Sequence, residues 1–313
     1  MTAAPIRYTN NPVVKLLRNG TRRGGRLDGL IINADDFGLA REVNDAVETA
    51  HREGVLASAS LMVAGAAAGQ AIGLAKRTPS LRVGLHLVLA EGAPALPAEE
   101  ITELVDEDGG LRRDMVATAF GIAFSERARR QLRREIEAQF EAFRKTGLPL
   151  DHVNAHKHFH LHPIIANEIM EIGRRYGMVA LRVPSEPARS LGGVSWQAHF
   201  LAPYLTLLRR KAMKGGIFTP DAVFGWKWSG AMTAERMKSI LASLPPGNVE
   251  IYTHPATTDR FPGCATGYEY TGELAALTDP DVVAMVGKLK RRLGGYADMG
   301  GLQEAGAAFP LQS

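Results

Sequence analysis

Cysteine is almost missing: the chain of 313 residues has one, Cys264. That excludes an internal disulfide and a thiolate zinc cage, so any metal held here needs histidine and carboxylate ligands. Long apolar runs are missing as well. No window approaches the roughly 18 uninterrupted apolar residues of a membrane span, and the N-terminus lacks the apolar core and small-residue cleavage site of a secretory signal. Both absences point to a cytoplasmic protein. Acidic residues are absent from residues 1–27, where Arg7, Lys15, Arg18, Arg22, Arg23 and Arg26 have no counter-charge. The formal net charge is +4, and removing those six cations leaves the remainder at −2. The basic character is a tail plus local patches such as Arg127, Arg129, Arg130, Arg133 and Arg134, a pattern expected of a solvated helix face. Nucleic acid is not the expected partner.

What is present is a globular composition, 45% hydrophobic and 22% charged, with enough chain for one large α/β domain or two smaller ones. From Gly29 onward, short apolar runs alternate with helical patterns, as in parallel strands joined by crossover helices. "GLIINADD", "LASASLMVA", "LRVGLHLVL", "LPLDHVNAH", "MVALRVP" and "NVEIYTHPA" read as strands. "AREVNDAVETAHREG", "GQAIGLAKRT", residues 126–145 and "IIANEIMEIGRRYG" read as helices. Residues 91–125, rich in Gly, Pro and acids, read as an insertion or lid, and residues 215–230 as a linker or flexible loop. Asp35, Asp36, His86, His156, Arg182 and His254 all fall at the C-terminal ends of expected strands, the edge where active sites of α/β barrels and doubly wound sheets collect.

"HVNAHKHFH", residues 152–160, holds four histidines in nine positions. On a strand His156, His158 and His160 share a face; on a helix His156 and His160 stack one turn apart. Burying several imidazoles is costly unless their nitrogens are paired, and a metal satisfies several at once. His156, nearest the expected strand end, is the first choice of ligand, with His158 and His160 facing substrate or supporting the ligands, and Arg182 a further substrate contact. His152 and His162 flank the run as structural residues. The adjacent Asp35 and Asp36 repel each other and need a cation, helix-terminal amides or solvent between them. Two histidines and one carboxylate leave coordination positions open for water and substrate. With Asp36 on the ion, Asp35 is free to act as general base, and His254 is suited to protonate a departing amine.

In this order, "IINADDFGL", "VGLHLVL", "DHVNAHKHFHLHP" and "EIYTHPA" resemble the YdjC-like carbohydrate deacetylases, which include the ChbG chitooligosaccharide deacetylases. Within that family the chain is most similar to the hopanoid-biosynthesis-associated HpnK branch. The resemblance implies an irregular (β/α) TIM-like barrel, here spanning 28–300 between a basic tail at 1–27 and a C-terminal tail at 301–313. It also implies one divalent metal, usually magnesium, and hydrolysis of the N-acetyl group of an amino sugar. Asp36, His86 and His156 match the family's metal ligands, Asp35 its base and His254 the histidine of its "HP" motif. Zinc or another transition metal would also suit these ligands. Asn154 stands where relatives usually carry Asp, and Lys157 replaces a frequent His.

For the HpnK-like branch the implied substrate is an N-acetylglucosaminyl hopanoid. "FLAPYLTLLRRKAMKGG" sets an apolar run before four cations, suited to peripheral contact with an anionic inner-membrane surface. The alternatives are a chitooligosaccharide deacetylase and a non-catalytic sugar- or lipid-binding barrel. Intact Asp35, His86, His156 and His254 speak against the second. A homodimer is compatible with every one of these readings.

Overall fold

The computed structural model describes residues 28–187 and 196–299. The basic tail at 1–27 and the C-terminal tail at 301–313 lie outside the described residues. Seven parallel strands form one sheet: β1 (Gly29–Phe37), β2 (Ser58–Leu61), β3 (Arg82–Leu87), β4 (Val153–Ala155), β5 (Ala222–Phe224), β6 (Val249–Thr253) and β7 (Arg292–Leu293). Their order is β4-β3-β2-β1-β6-β5, with β7 beside the start of β1. β1 is buried along its whole length, as a parallel strand covered on both faces must be. Helices α1 (Arg41–Glu53), α2 (Ala68–Arg77), α4 (Glu126–Thr146), α5 (Pro163–Arg175), α7 (Ala234–Ala242), α8 (Tyr270–Thr278) and α9 (Pro280–Lys288) pack outside it. The fold is the expected α/β, irregular TIM-like barrel.

Its irregularity has a location. "MVALRVP" does not form a full strand: Leu181 bridges to Val153 and Ala180 to Phe218, and the Val223 amide donates to Ser185 O at 3.0 Å. Residues 179–185 thus span the gap between β4 and β5 through isolated bridges rather than as a full strand. Residues 215–230, expected as a linker or flexible loop, instead contain β5.

The insertion between β3 and α4 contains a 3₁₀ turn (Ala98–Glu100) and α3 (Met115–Phe124). It is fastened to one face of α4. Glu135 accepts the Ala95 and Leu96 amides at 2.7 and 3.0 Å, and Gln131 accepts the Glu103 amide at 2.7 Å. α4 starts on the Ser125 hydroxyl, which accepts the Ala128 amide, and ends on Gly147 at φ +75°, a left-handed cap that glycine adopts without penalty. Its arginine-rich face is a solvated one, partly held by ion pairs of Arg130 with Glu126 and of Arg133 with Glu168 and Glu171.

The histidine run departs most from expectation. β4 stops at Ala155, and His156–Leu161 form a 3₁₀ segment in which Lys157 and His158 both have φ +55°. The three histidines therefore share neither a strand face nor a helix face, and the kink sends each to a different place.

Beneath the sheet's active edge, the His152 ring is stacked on Tyr296 at 4.3 Å between centroids and pressed against Gly84. A Cβ at position 84 would lie 2.4 Å from His152 Cε1. Gly84→Ala is therefore expected to lower stability by about 1–3 kcal/mol, the cost of overpacking a filled core. Chemical denaturation checks this; an unchanged midpoint would show that the ring moves freely.

Candidate active site

β1 carries two adjacent aspartates, and on a regular strand they would face opposite ways. The register of β1 against β2 shifts between Ala34 and Phe37, and Asp36 has φ +62°. Aspartate tolerates this left-handed conformation better than most residues, and the bulge turns both carboxylates into one cavity of about 490 Å³. Strain of this kind costs about 1–3 kcal/mol and persists where the surroundings enforce it.

Three of the expected ligands meet there. Asp36 Oδ1 lies 3.3 Å from His86 Nε2 and 3.1 Å from His156 Nδ1. One ligand atom from each of the three lies within 4.8 Å of the others. The His86 and His156 rings stand nearly perpendicular, at 78°. His86 Nδ1 donates to Asn154 Oδ1 at 2.6 Å, so Nε2 is the nitrogen turned toward Asp36. When Nε2 is deprotonated, it and the carboxylate oxygen are two acceptors that repel unless a cation lies between them. The electrostatics agree: burial alone would lower the His86 imidazole, yet Asp35 and Asp36 raise it above its ordinary value. Burial would likewise raise Asp36, but His156 and His86 hold it well below the usual carboxylate range. The site demands positive charge, and its donor set fits a divalent metal with open positions.

Asp35 faces the same cavity with a different set of neighbours. It accepts hydrogen bonds from Arg182 Nη1 at 2.5 Å and from the amides of Asn33 and Asn154, each at 3.0 Å. Burial pushes its carboxyl up, and the Arg182 guanidinium overcomes this and holds it ionised, far below the ordinary value. His254 Nε2 stands 4.0 Å from Asp35 Oδ2. The His254 ring is met edge-on by Tyr252 and Tyr268, and its backbone N–H donates to buried Glu273.

The expected substrate contacts separate. His158 lines the cavity, bonded through Nε2 to the Tyr252 hydroxyl at 2.9 Å; burial and the neighbouring His160 push it well below its ordinary pKa. His160 and Arg182 do not line the cavity. Both have 0% exposure and lie behind the wall. His160 donates to Arg182 O at 3.0 Å, and burial lowers it to about 3. The guanidinium of Arg182 is shared between Asp35 and Glu250, the latter also bonded by the Tyr296 hydroxyl.

Sequence reasoning did not single out Asn33, Ser60, Glu250, Tyr252 or Tyr268. Only Tyr252 carried a readable signal, being two residues before His254 on a strand and hence on the same face. A second basin of about 580 Å³ lies against the insertion and shares Glu91 and Gly263 with the first cavity. The Glu91–Lys157 ion pair, 3.1 Å long, stands at the junction.

Residues 29–288 match the family described as YdjC-like protein. A carbohydrate deacetylase of Brevibacillus brevis is 31% identical over 276 residues, which cover 87% of this chain and 99% of that protein. A carbohydrate deacetylase of Mus musculus is 30% identical, over 82% of this chain and 89% of its own length. The crystal structure of an Enterococcus faecalis protein thought to cleave cellobiose phosphate aligns with a TM-score of 0.69 at 25% identity, covering 87% of this chain and 99% of that one. The family match runs across every strand that brings Asp35, Asp36, His86, His156 and His254 together, and the chain belongs to the YdjC-like family.

Proposed function

We propose that the protein is a metal-dependent carbohydrate deacetylase that hydrolyses the N-acetyl group of an N-acetylglucosamine-type sugar. One observation carries this reading: a one-carboxylate, two-histidine cluster, a separately held carboxylate and a histidine all open onto a single cavity. Asp36, His86 and His156 would hold the ion, and a divalent metal there would supply Lewis-acid polarisation of the amide carbonyl and a lowered pKa for bound water. Family resemblance points to magnesium, and two imidazoles also suit zinc.

Asp35 takes the proton of the attacking water. Arg182 keeps Asp35 ionised, the form a base needs. His254, whose Nε2 stands 4.0 Å from Asp35 Oδ2, delivers a proton to the departing amine nitrogen. Tyr252 and Tyr268 pack against His254 and fix the plane of its ring.

The natural substrate we favour is a lipid-linked one, the N-acetylglucosaminyl hopanoid of the HpnK-like branch, met in the cytoplasm at the inner-membrane surface. Support comes from α6 (Trp196–Lys214), which has no acidic residue. Phe200 and Leu207 are 82% and 64% exposed instead of packing on the barrel, and Arg210, Lys211 and Lys214 follow them outward. Among the described residues no helix is long and apolar enough to cross a membrane, so this contact is peripheral. A chitooligosaccharide substrate is the second reading, favoured by the basin beside Glu91, whose Asp108, Arg113 and glycine backbone offer partners for sugar hydroxyls.

Four outcomes are expected. Chelation abolishes acetate release and added divalent ion restores it, while Asp35→Asn binds metal normally yet loses about 10²- to 10⁴-fold in turnover; full activity in that variant removes the base assignment. Mass spectrometry shows deacetylation of the glucosaminyl lipid outpacing that of diacetylchitobiose, and the reverse order installs the second reading. Wild-type protein floats with anionic vesicles and a Phe200→Ser, Leu207→Ser double variant does not; equal flotation excludes α6 as the contact.

A further inference from the structure

Asn154 pairs with His86 in the β3–β4 register, and its amide works in two directions. The oxygen accepts His86 Nδ1–H at 2.6 Å, and the nitrogen donates to Asp35 Oδ1 at 3.0 Å and to Ser60 Oγ at 2.9 Å. Rotating the amide by half a turn would set NH₂ against an N–H and oxygen against a carboxylate, so both contacts would become repulsive. What holds the amide in place lies deeper. Ser60 Oγ also accepts from Asn33 Nδ2 at 3.0 Å, so both its lone pairs are taken and its proton goes to His152 Nε2 at 2.9 Å. His152 Nδ1–H then donates to Asp151 Oδ2 at 2.9 Å. Asp151 is buried, accepts the Tyr296 and Ala297 amides at 3.0 Å each, and as a carboxylate can only accept.

Donor and acceptor therefore alternate without ambiguity from Asp151 through His152, Ser60 and Asn154 to His86. We propose that this buried chain is a positioning device: Asp151, just before β4, sets the tautomer of His86, and Asn154 is the residue that transmits it while also orienting Asp35. The inference rests on the ligand and base roles proposed above. No member between Asp151 and Asn154 touches the cavity, so these residues act through His86 and Asp35 alone. The two ends of the Asn154 amide have separable jobs, with its oxygen serving the ligand and its nitrogen serving the base.

Nitrogen-15 NMR of histidine-labelled, metal-free protein at alkaline pH, where the ring is neutral, reads the His86 tautomer directly, with the resonance assigned by its disappearance in His86→Gln. Wild-type protein shows the Nδ1–H form. Ser60→Ala, which touches neither His86 Nε2 nor any ligand oxygen, gives mixed tautomers, and calorimetry with magnesium or zinc finds an affinity lower by about tenfold. Asn154→Ala does the same more strongly, up to about a hundredfold. The isosteric Asn154→Asp keeps the acceptor for His86 but loses the donor to Asp35; it retains the tautomer and metal affinity while kcat falls and KM holds. Wild-type tautomer and affinity in both Ser60→Ala and Asn154→Ala would overturn the proposal, as would equal loss of metal affinity in Asn154→Asp and Asn154→Ala. If the tautomers change as stated but no protein releases acetate, the positioning device stands and the deacetylase reading falls.

Discussion

Beneath the cavity floor, a guanidinium with no exposed surface bridges two carboxylates. Arg182 binds Asp35 on β1 and Glu250 on β6, and lies 4.5 Å over the ring of Tyr252. Desolvating three charges is expensive, and removing one member of such a cluster typically costs about 3–5 kcal/mol because the others are left uncompensated. Its position makes this matter beyond the local contacts. Arg182 belongs to the segment that spans the gap between β4 and β5 through isolated bridges, so the charge cluster adds side-chain cohesion where the sheet is irregular. The same contact keeps Asp35 ionised, which ties barrel closure to the protonation state of the proposed base.

Backbone strain is concentrated at the same place. Among the described residues, four that are not glycine have positive φ: Asp36, Glu91, Lys157 and His158. All four line the cavity. Asp36 is turned toward His86 and His156 by the bulge, Lys157 and His158 by the kink after β4, and Glu91 by the start of the insertion. Such conformations survive only where packing and electrostatics over-determine them, and here each is held by an ion pair or hydrogen bond across the cavity.

Much of the fold and of the ligand set is legible in the sequence because both depend on local patterns. Buried parallel strands read as apolar runs, and ionisable residues at their ends mark the active edge; Asp36, His86 and His156 follow from that reasoning together with the family resemblance. The histidine run misleads because alternation assumes an unbroken strand, whereas Lys157 and His158 take left-handed conformations that no side-chain pattern announces. Arg182 sits at a strand end like the other site residues, but its partner Glu250 is 68 positions away, so the residue reads as a substrate contact when it is a buried bridge. Asn33 and Ser60 escape notice because an isolated amide or hydroxyl in an apolar strand carries meaning only through what it touches.

The insertion after β3 is moored to α4 by Gln131 and Glu135, and it reaches the catalytic floor chiefly through Glu91 and Lys157 at its border. Because its anchorage is to α4 rather than to the strands that carry Asp35, Asp36, His86 and His156, a change in the length of this rim would reshape the cavity's border while leaving the aspartates and imidazoles below in place.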